Sequence, residues 1–216
     1  MTVLIIGLVI FLGIHSIALA APALRSNAIA RLGEGPWKGI YSLAAAAGFV
    51  LIVYGFHLAR ESPVVLYSPP GWLRYITLLL MLPVFTLFIA AYLPGRIKTA
   101  TKHPLLAAVK FWALAHLLSN GLLADVLLFG GFLAWAVVDR ISLKRRVQAA
   151  PAAPAGRFND VIAVVAGLAL YVFFIVWAHL RLFGVAPLSP VRIRPLTRTW
   201  RPPRGASRDT RSARRC

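Results

Sequence analysis

Long apolar runs separated by short polar breaks set the pattern of this chain. The runs are Thr2–Leu24, Ile40–Leu58, Tyr75–Leu93, Pro104–Ser119, Leu122–Val138 and Val161–Phe183. At 1.5 Å per residue, runs of this kind match a hydrocarbon core about 30 Å thick. The fold they predict is all-α, a polytopic transmembrane helix bundle of about six spans. Breakers sit where the runs stop: Gly33, Gly35 and Pro36 in a loop Arg25–Lys38, and Pro63, Pro69, Pro70 and Gly71 in a loop Arg60–Arg74. Tyr67 and Trp72 in that second loop suit the membrane interface. Pro94-Gly95 ends the third span, which is kinked near Pro83, and Pro104 suits the first turn of the fourth. Ser119-Asn120-Gly121 stops the fourth. The small residues Ala44 to Gly48 suit close helix packing. No internal repeat is visible.

Thr2–Leu24 imitates a secretory leader, with ALAAPA after Ile17 resembling a cleavage region. No Lys or Arg precedes its apolar core, and His15 is out of place in a disposable segment, so it reads as a retained first helix. At the other end, an Ala/Pro-rich linker spans Ala149–Gly156. From Pro190 the chain turns Arg-rich and proline-punctuated. Residues 1–188 therefore read as the transmembrane domain and 189–216 as a disordered Arg-rich tail.

Composition agrees with the pattern. Of 216 residues, 59% are apolar and 14% charged, with a mean hydropathy of +0.75; soluble domains carry about 25% charged residues. The net charge of +18 suggests a nucleic-acid partner until its place is considered. It lies in short loops and the tail, which points to topology and to no nucleic acid. The loops beginning at Arg25, Arg96 and Arg140 hold eleven basic residues, and the intervening loops hold two, Arg60 and Arg74. The basic side is cytoplasmic by the positive-inside rule, and both termini are outside. The nine tail arginines point the other way, but no span follows them. The single cysteine, Cys216, argues against disulfides, thiolate metal sites and a buried nucleophile. No phosphate loop, HExxH or GxSxG motif occurs.

Candidate chemistry concentrates in Lys102 to Gly121, where His103, Lys110, His116 and Asn120 interrupt an apolar run. Ionisable groups inside a membrane helix are costly and invite a functional reading. Val109, Trp112, Ala113, His116 and Asn120 lie near one helical face, and His103 and Lys110 on another. Counted from the span ends, His15 lies roughly 18 Å below the outer boundary and His116 roughly 18 Å above the inner one. Both fall near the midplane, whereas His57 and His179 lie near the outer interface and His103 near the inner. Interfacial histidines need no more explanation than an amphipathic tip among head groups, and Lys110 can snorkel to the cytoplasmic side. A midplane histidine can simply be satisfied by a neighbouring helix. Two facing imidazoles are also how membrane bundles hold haem iron. Zinc wants three or four ligands and finds few carboxylates at that depth.

KHPLLAAVKFWALAHLLSNG, followed by LLFGGFLAWAVVDRISLKRR, resembles the NnrU family of bacterial membrane proteins. That family takes its name from an association with nitrite and nitric-oxide reduction genes. It is similar to the 15-cis-zeta-carotene isomerases, which are haem b membrane proteins. The resemblance covers about Met1 to Leu188 and rests on His15, His103-Pro104, His116, Asn120-Gly121 and Asp139-Arg140. It implies a bundle of five or six helices in the inner (cytoplasmic) membrane, with His15 and His116 as axial ligands of haem b. His57 and His103 match the other shared histidines.

Three functions stay open at this point. One is a haem b protein performing redox-gated isomerisation, or another redox reaction, on a lipophilic substrate, with Lys110 or Arg140 meeting a propionate. Another is a non-enzymatic accessory protein serving a respiratory partner in denitrification. The third is a small transporter, against which the spans show no repeat symmetry and few central charges.

Overall fold

The computed structural model describes residues 1–145, 156 and 158–188. The Arg-rich tail 189–216 and most of the Ala149–Gly156 linker lie outside the described residues. The expected all-α bundle is present. Five helices are long and apolar enough to cross a membrane, and Pro104–Ser119 is a shorter apolar helix. In chain order the elements are α1 (Thr2–Ala20), α2 (Pro22–Leu32), α3 (Glu34–Glu61), α4 (Leu73–Ala90), α5 (Arg96–Thr101), α6 (Pro104–Ser119), α7 (Leu123–Arg145), α8 (Asn159–Phe173) and α9 (His179–Phe183). A π-helical turn, Phe174–Ala178, joins α8 to α9. The chain is a multi-pass membrane protein.

Two loops expected from their breakers are largely helical. The Arg25–Lys38 segment folds into α2 and the start of α3, and the basic loop after Arg96 contains α5. Pro22 and Pro36 stand in first turns, where a missing N–H breaks no helical hydrogen bond. Gly33 carries the change of direction with a φ of 88°, a backbone region open to glycine. Helix α4 runs through Pro83 without ending.

The helices pack in the lateral order α3, α1, α7, α6, α4, α8. Without a hydrophobic drive between helices in lipid, small residues and interhelical hydrogen bonds must hold such a row. Helices α1 and α3 meet through glycines. A Cβ on Gly7 would lie 2.6 Å from the Ile52 nitrogen, one on Gly48 2.8 Å from the Phe11 nitrogen, and one on Gly55 in collision with the Leu4 backbone. Trp135 of α7 donates to Ser16 of α1 at 3.1 Å. Thr77 of α4 donates to the Ala115 carbonyl of α6 at 2.9 Å and contacts Ser119. Tyr171 of α8 donates to the Leu78 carbonyl of α4 at 2.9 Å.

Both ends of the row are tied. At one end the 62–72 segment pairs with the α6–α7 turn through a Val65–Leu122 bridge, with Leu66 N–H to Gly121 O at 2.8 Å and Leu123 N–H to Val64 O at 2.8 Å. On the other side the Asp160 carboxylate accepts from the N–H groups of Arg96 at 2.9 Å and Ile97 at 3.0 Å. It caps α5 from the start of α8. These ties put 62–72 and 120–122 at one end, and the segment after Ala90 with the start of α8 at the other, the alternation that the basic loops require.

Candidate functional site

His15 and His116 both face the bundle, on α1 and α6. Each is half-buried, and each ring meets the carbonyl four residues earlier through Nδ1: His15 to Phe11 at 2.6 Å and His116 to Trp112 at 2.8 Å. Because a carbonyl only accepts, Nδ1 carries a proton, and in the neutral imidazole Nε2 then holds the lone pair. Metal-bound histidines are held in the same way, by a carbonyl on the nitrogen away from the metal.

The two rings belong to one aromatic seam rather than to one gap. From His15 the seam passes to Phe11 (centroids 4.3 Å apart), Phe132 (5.6 Å), Trp112 (5.5 Å) and His116 (5.6 Å). His116 also stacks on Phe129 at 4.6 Å with 22° between planes. Helix α7 gives the levels: His15 lies against Trp135 and His116 against Phe129. Those neighbours are six residues apart, about 9 Å along the axis. The depth count from span ends set both histidines at the midplane. In the structure each histidine comes near the C-terminal end of its helix, and α1 and α6 run in opposite directions, because α1 stops at Ala20 and α6 has only 16 residues.

This decides how haem fits. Each imidazole by itself has the donor chemistry of an axial ligand. A single haem clamped between His15 and His116 does not fit this packing, since Phe11, Phe132 and Trp112 occupy the ground between the rings. Among the described residues, no group of three or more His, Cys, Asp or Glu side chains is placed to hold a metal ion.

The other expected residues lie elsewhere. His57 is exposed near the C-terminal end of α3, 3.8 Å from Glu61. His103 is half-buried at the start of α6, one residue before Pro104, and Lys110 is half-buried on that helix. Arg140 is half-buried near the end of α7. Asn120 follows the end of α6, and its carbonyl accepts from the Tyr67 hydroxyl at 2.7 Å. His179 meets the Val185 carbonyl through Nδ1 at 2.7 Å.

The sequence reading left Asp125 and Tyr67 without their roles. Asp125 is 6% exposed and accepts from the Leu122 N–H at 3.1 Å. It stands at the third position of α7 and reaches back over the helix start, half of a capping box. An acid three residues after a turn was the available signal. Tyr67 reaches the carbonyls of both Leu117 and Asn120, a contact across fifty residues that no local pattern announces. Burial, and after it the Asp125 charge, hold its phenol above the usual tyrosine value.

His15 also lines a cavity of about 230 Å³ between α1, α2 and α3. Its lining residues Arg25 and Lys38 belong to the first of the basic loops. No curated protein matches the chain, and no solved structure does. A family model described as NnrU protein matches residues 3–187, nearly the whole helical region with His15, His57, His103, Lys110, His116 and Asn120 inside it, and the chain belongs to that family.

Proposed function

We propose that this protein works in the bacterial inner membrane as a haem b redox protein, with the histidine–aromatic seam as its working part. The reaction it serves is nitrite or nitric-oxide reduction, or redox isomerisation of a lipophilic substrate. The observation that supports this is the state of two bundle-facing imidazoles, each with Nδ1 engaged by its own helix and Nε2 left as a donor of electrons. Haem would supply a one-electron couple. The chain's own residues orient the imidazoles, hold the Nδ1 protons and exclude water through Phe11, Trp112, Phe129 and Phe132. Since the rings of the seam separate the two histidines, one histidine at a time is the ligand set this packing supports.

Absorption spectra of the detergent-purified protein, oxidised and dithionite-reduced, test the reading. A Soret band that His116→Ala or His15→Ala abolishes, and His103→Ala spares, is the expected result. Retention of the full band in both His15→Ala and His116→Ala would remove the site. Loss in both, with sharp reduced α and β bands in the wild type, would mean that the seam opens to bring both rings to one iron.

A second reading is a non-enzymatic accessory protein for denitrification, favoured by the enclosure of His116 between Trp112 and Phe129, which leaves its ring faces to protein. It predicts a featureless spectrum together with slower nitrite or nitric-oxide reduction in a deletion strain. A normal rate there excludes it.

A further inference from the structure

The cavity beside His15 combines groups that the seam does not use. Its wall carries Arg25 and Ile29 from α2 and Trp37, Lys38 and Tyr41 from α3, in addition to His15. Arg25 and Lys38 are exposed, whereas Ile29, Trp37 and Tyr41 are half-buried. Glu34 also lines it and sits 2.9 Å from Lys38 Nζ, both side chains being largely exposed. The wall thus holds two cations against one carboxylate, so it is net positive. It is cationic toward solvent and apolar or aromatic toward the helices. Helix α2, which roofs it, buries none of its residues, as suits an element lying at the level of the head groups rather than inside the bundle.

We propose that this cavity binds the phosphate head group of an anionic phospholipid from the cytoplasmic leaflet. A guanidinium fork matches phosphate oxygens in pairs, and a lysine beside it adds a point charge. Basic clefts between transmembrane helices on the cytoplasmic side are the natural seat of such head groups. The charge of the loops assigns this end to the cytoplasm. Trp37 and Tyr41 offer the amphipathic surface that the glycerol region meets. The volume, about 230 Å³, is below the roughly 300–1,000 Å³ of pockets that enclose a whole small molecule. It suits a head group whose acyl chains stay in the bilayer. The proposal does not rest on haem: Arg25 and Lys38 belong to no part of the seam.

The test is lipid titration of the full-length protein in neutral detergent, read by native mass spectrometry, with phosphatidylglycerol, phosphatidylcholine and inorganic phosphate as probes. Phosphatidylglycerol should bind in preference to phosphatidylcholine. Arg25→Ala and Lys38→Ala should each weaken it about fivefold, the effect of one cation near an anionic surface. Arg31→Ala removes the same charge from the same helix outside the cavity wall and should change nothing. Equal loss in Arg31→Ala would reduce the effect to diffuse surface charge and overturn the site. Equal binding of phosphatidylcholine would overturn head-group recognition, and displacement by millimolar phosphate would assign the cavity to a free anion instead. Unchanged melting temperatures in the alanine variants separate lost binding from lost fold. Should Arg25→Ala unfold, Lys38→Ala against Arg31→Ala decides alone.

Discussion

Tyr67 carries more of the outer cap than its place in a proline-rich loop suggests. Its single hydroxyl serves the carbonyls of Leu117 and Asn120, groups at the end of α6 that have no partner within the helix. Its backbone forms the other half of the contact, because a Cβ on Gly121 would collide with the Tyr67 carbonyl oxygen. Tyr67→Phe should cost about 1 kcal/mol, the net worth of such a hydrogen bond, seen as a lower melting temperature in detergent. The phenol adds a pH dependence whose sign follows from its raised pKa. Below the ordinary tyrosine value, near 10, both folded and unfolded chains keep the proton and the contribution is complete. As pH rises through that value and then through the higher folded one, the unfolded chain releases its proton first and stability falls. The wild type should therefore lose more melting temperature between pH 9 and 11 than Tyr67→Phe. Identical losses would mean that the phenol does not hold the cap. That an aromatic sat at this interface was legible in the sequence; its partners, fifty residues away, were not.

Among the elements, the pair α1–α3 depends on backbone proximity rather than on large side chains. Gly48 and Gly55 of α3 lie seven residues apart and face Phe11 and Leu4 of α1, while Gly7 faces Ile52. Gly55→Leu should therefore force the helices apart at a cost of roughly 1–3 kcal/mol, the range for overpacking. Gly13→Leu, on the partner helix α1 but with nothing within 4 Å of its Cβ position, should leave the melting temperature unchanged. Similar shifts in both variants would refute the glycine contact. The small-residue run Ala44 to Gly48 announced close packing, and Gly48 delivers it. Hidden from sequence were α2, α5 and the full length of α3, because Gly33, Gly35, Pro36 and the charges around them look alike in a loop and in a first helical turn. The same uncertainty about ends spread to the candidate site. Depths counted separately from the two span ends put His15 and His116 together at the midplane, whereas their neighbours on α7, Trp135 and Phe129, set them about 9 Å apart along that helix. The histidines themselves, their inward faces and their apolar neighbourhood were legible from periodicity. What lies between them was not, since Phe132 reaches the seam from a third helix, α7.

For the whole molecule, charge and packing make the same demand by independent routes. The basic loops select one side as cytoplasmic, and the hydrogen bonds that join Asp160 to α5 and Val64 to Leu123 sort the connections into the same two groups. Each tie joins segments two crossings apart, so Ser68 and Ala100, separated by α4 alone, lie at opposite ends; the loop charges place Ser68 outside and Ala100 inside, and both are exposed. In a Cys216→Ser background, Ser68→Cys should react with a membrane-impermeant maleimide on intact spheroplasts, and Ala100→Cys only after permeabilisation. The reverse pattern would invert the molecule, carry the cavity beside Arg25 and Lys38 to the outer leaflet, and remove the cytoplasmic lipid as its occupant. Labelling of both positions from outside would break the alternation itself, which neither the loop charges nor the observed ties allow. The experiment thus tests the frame on which the placement of seam and cavity depends, using residues that belong to neither.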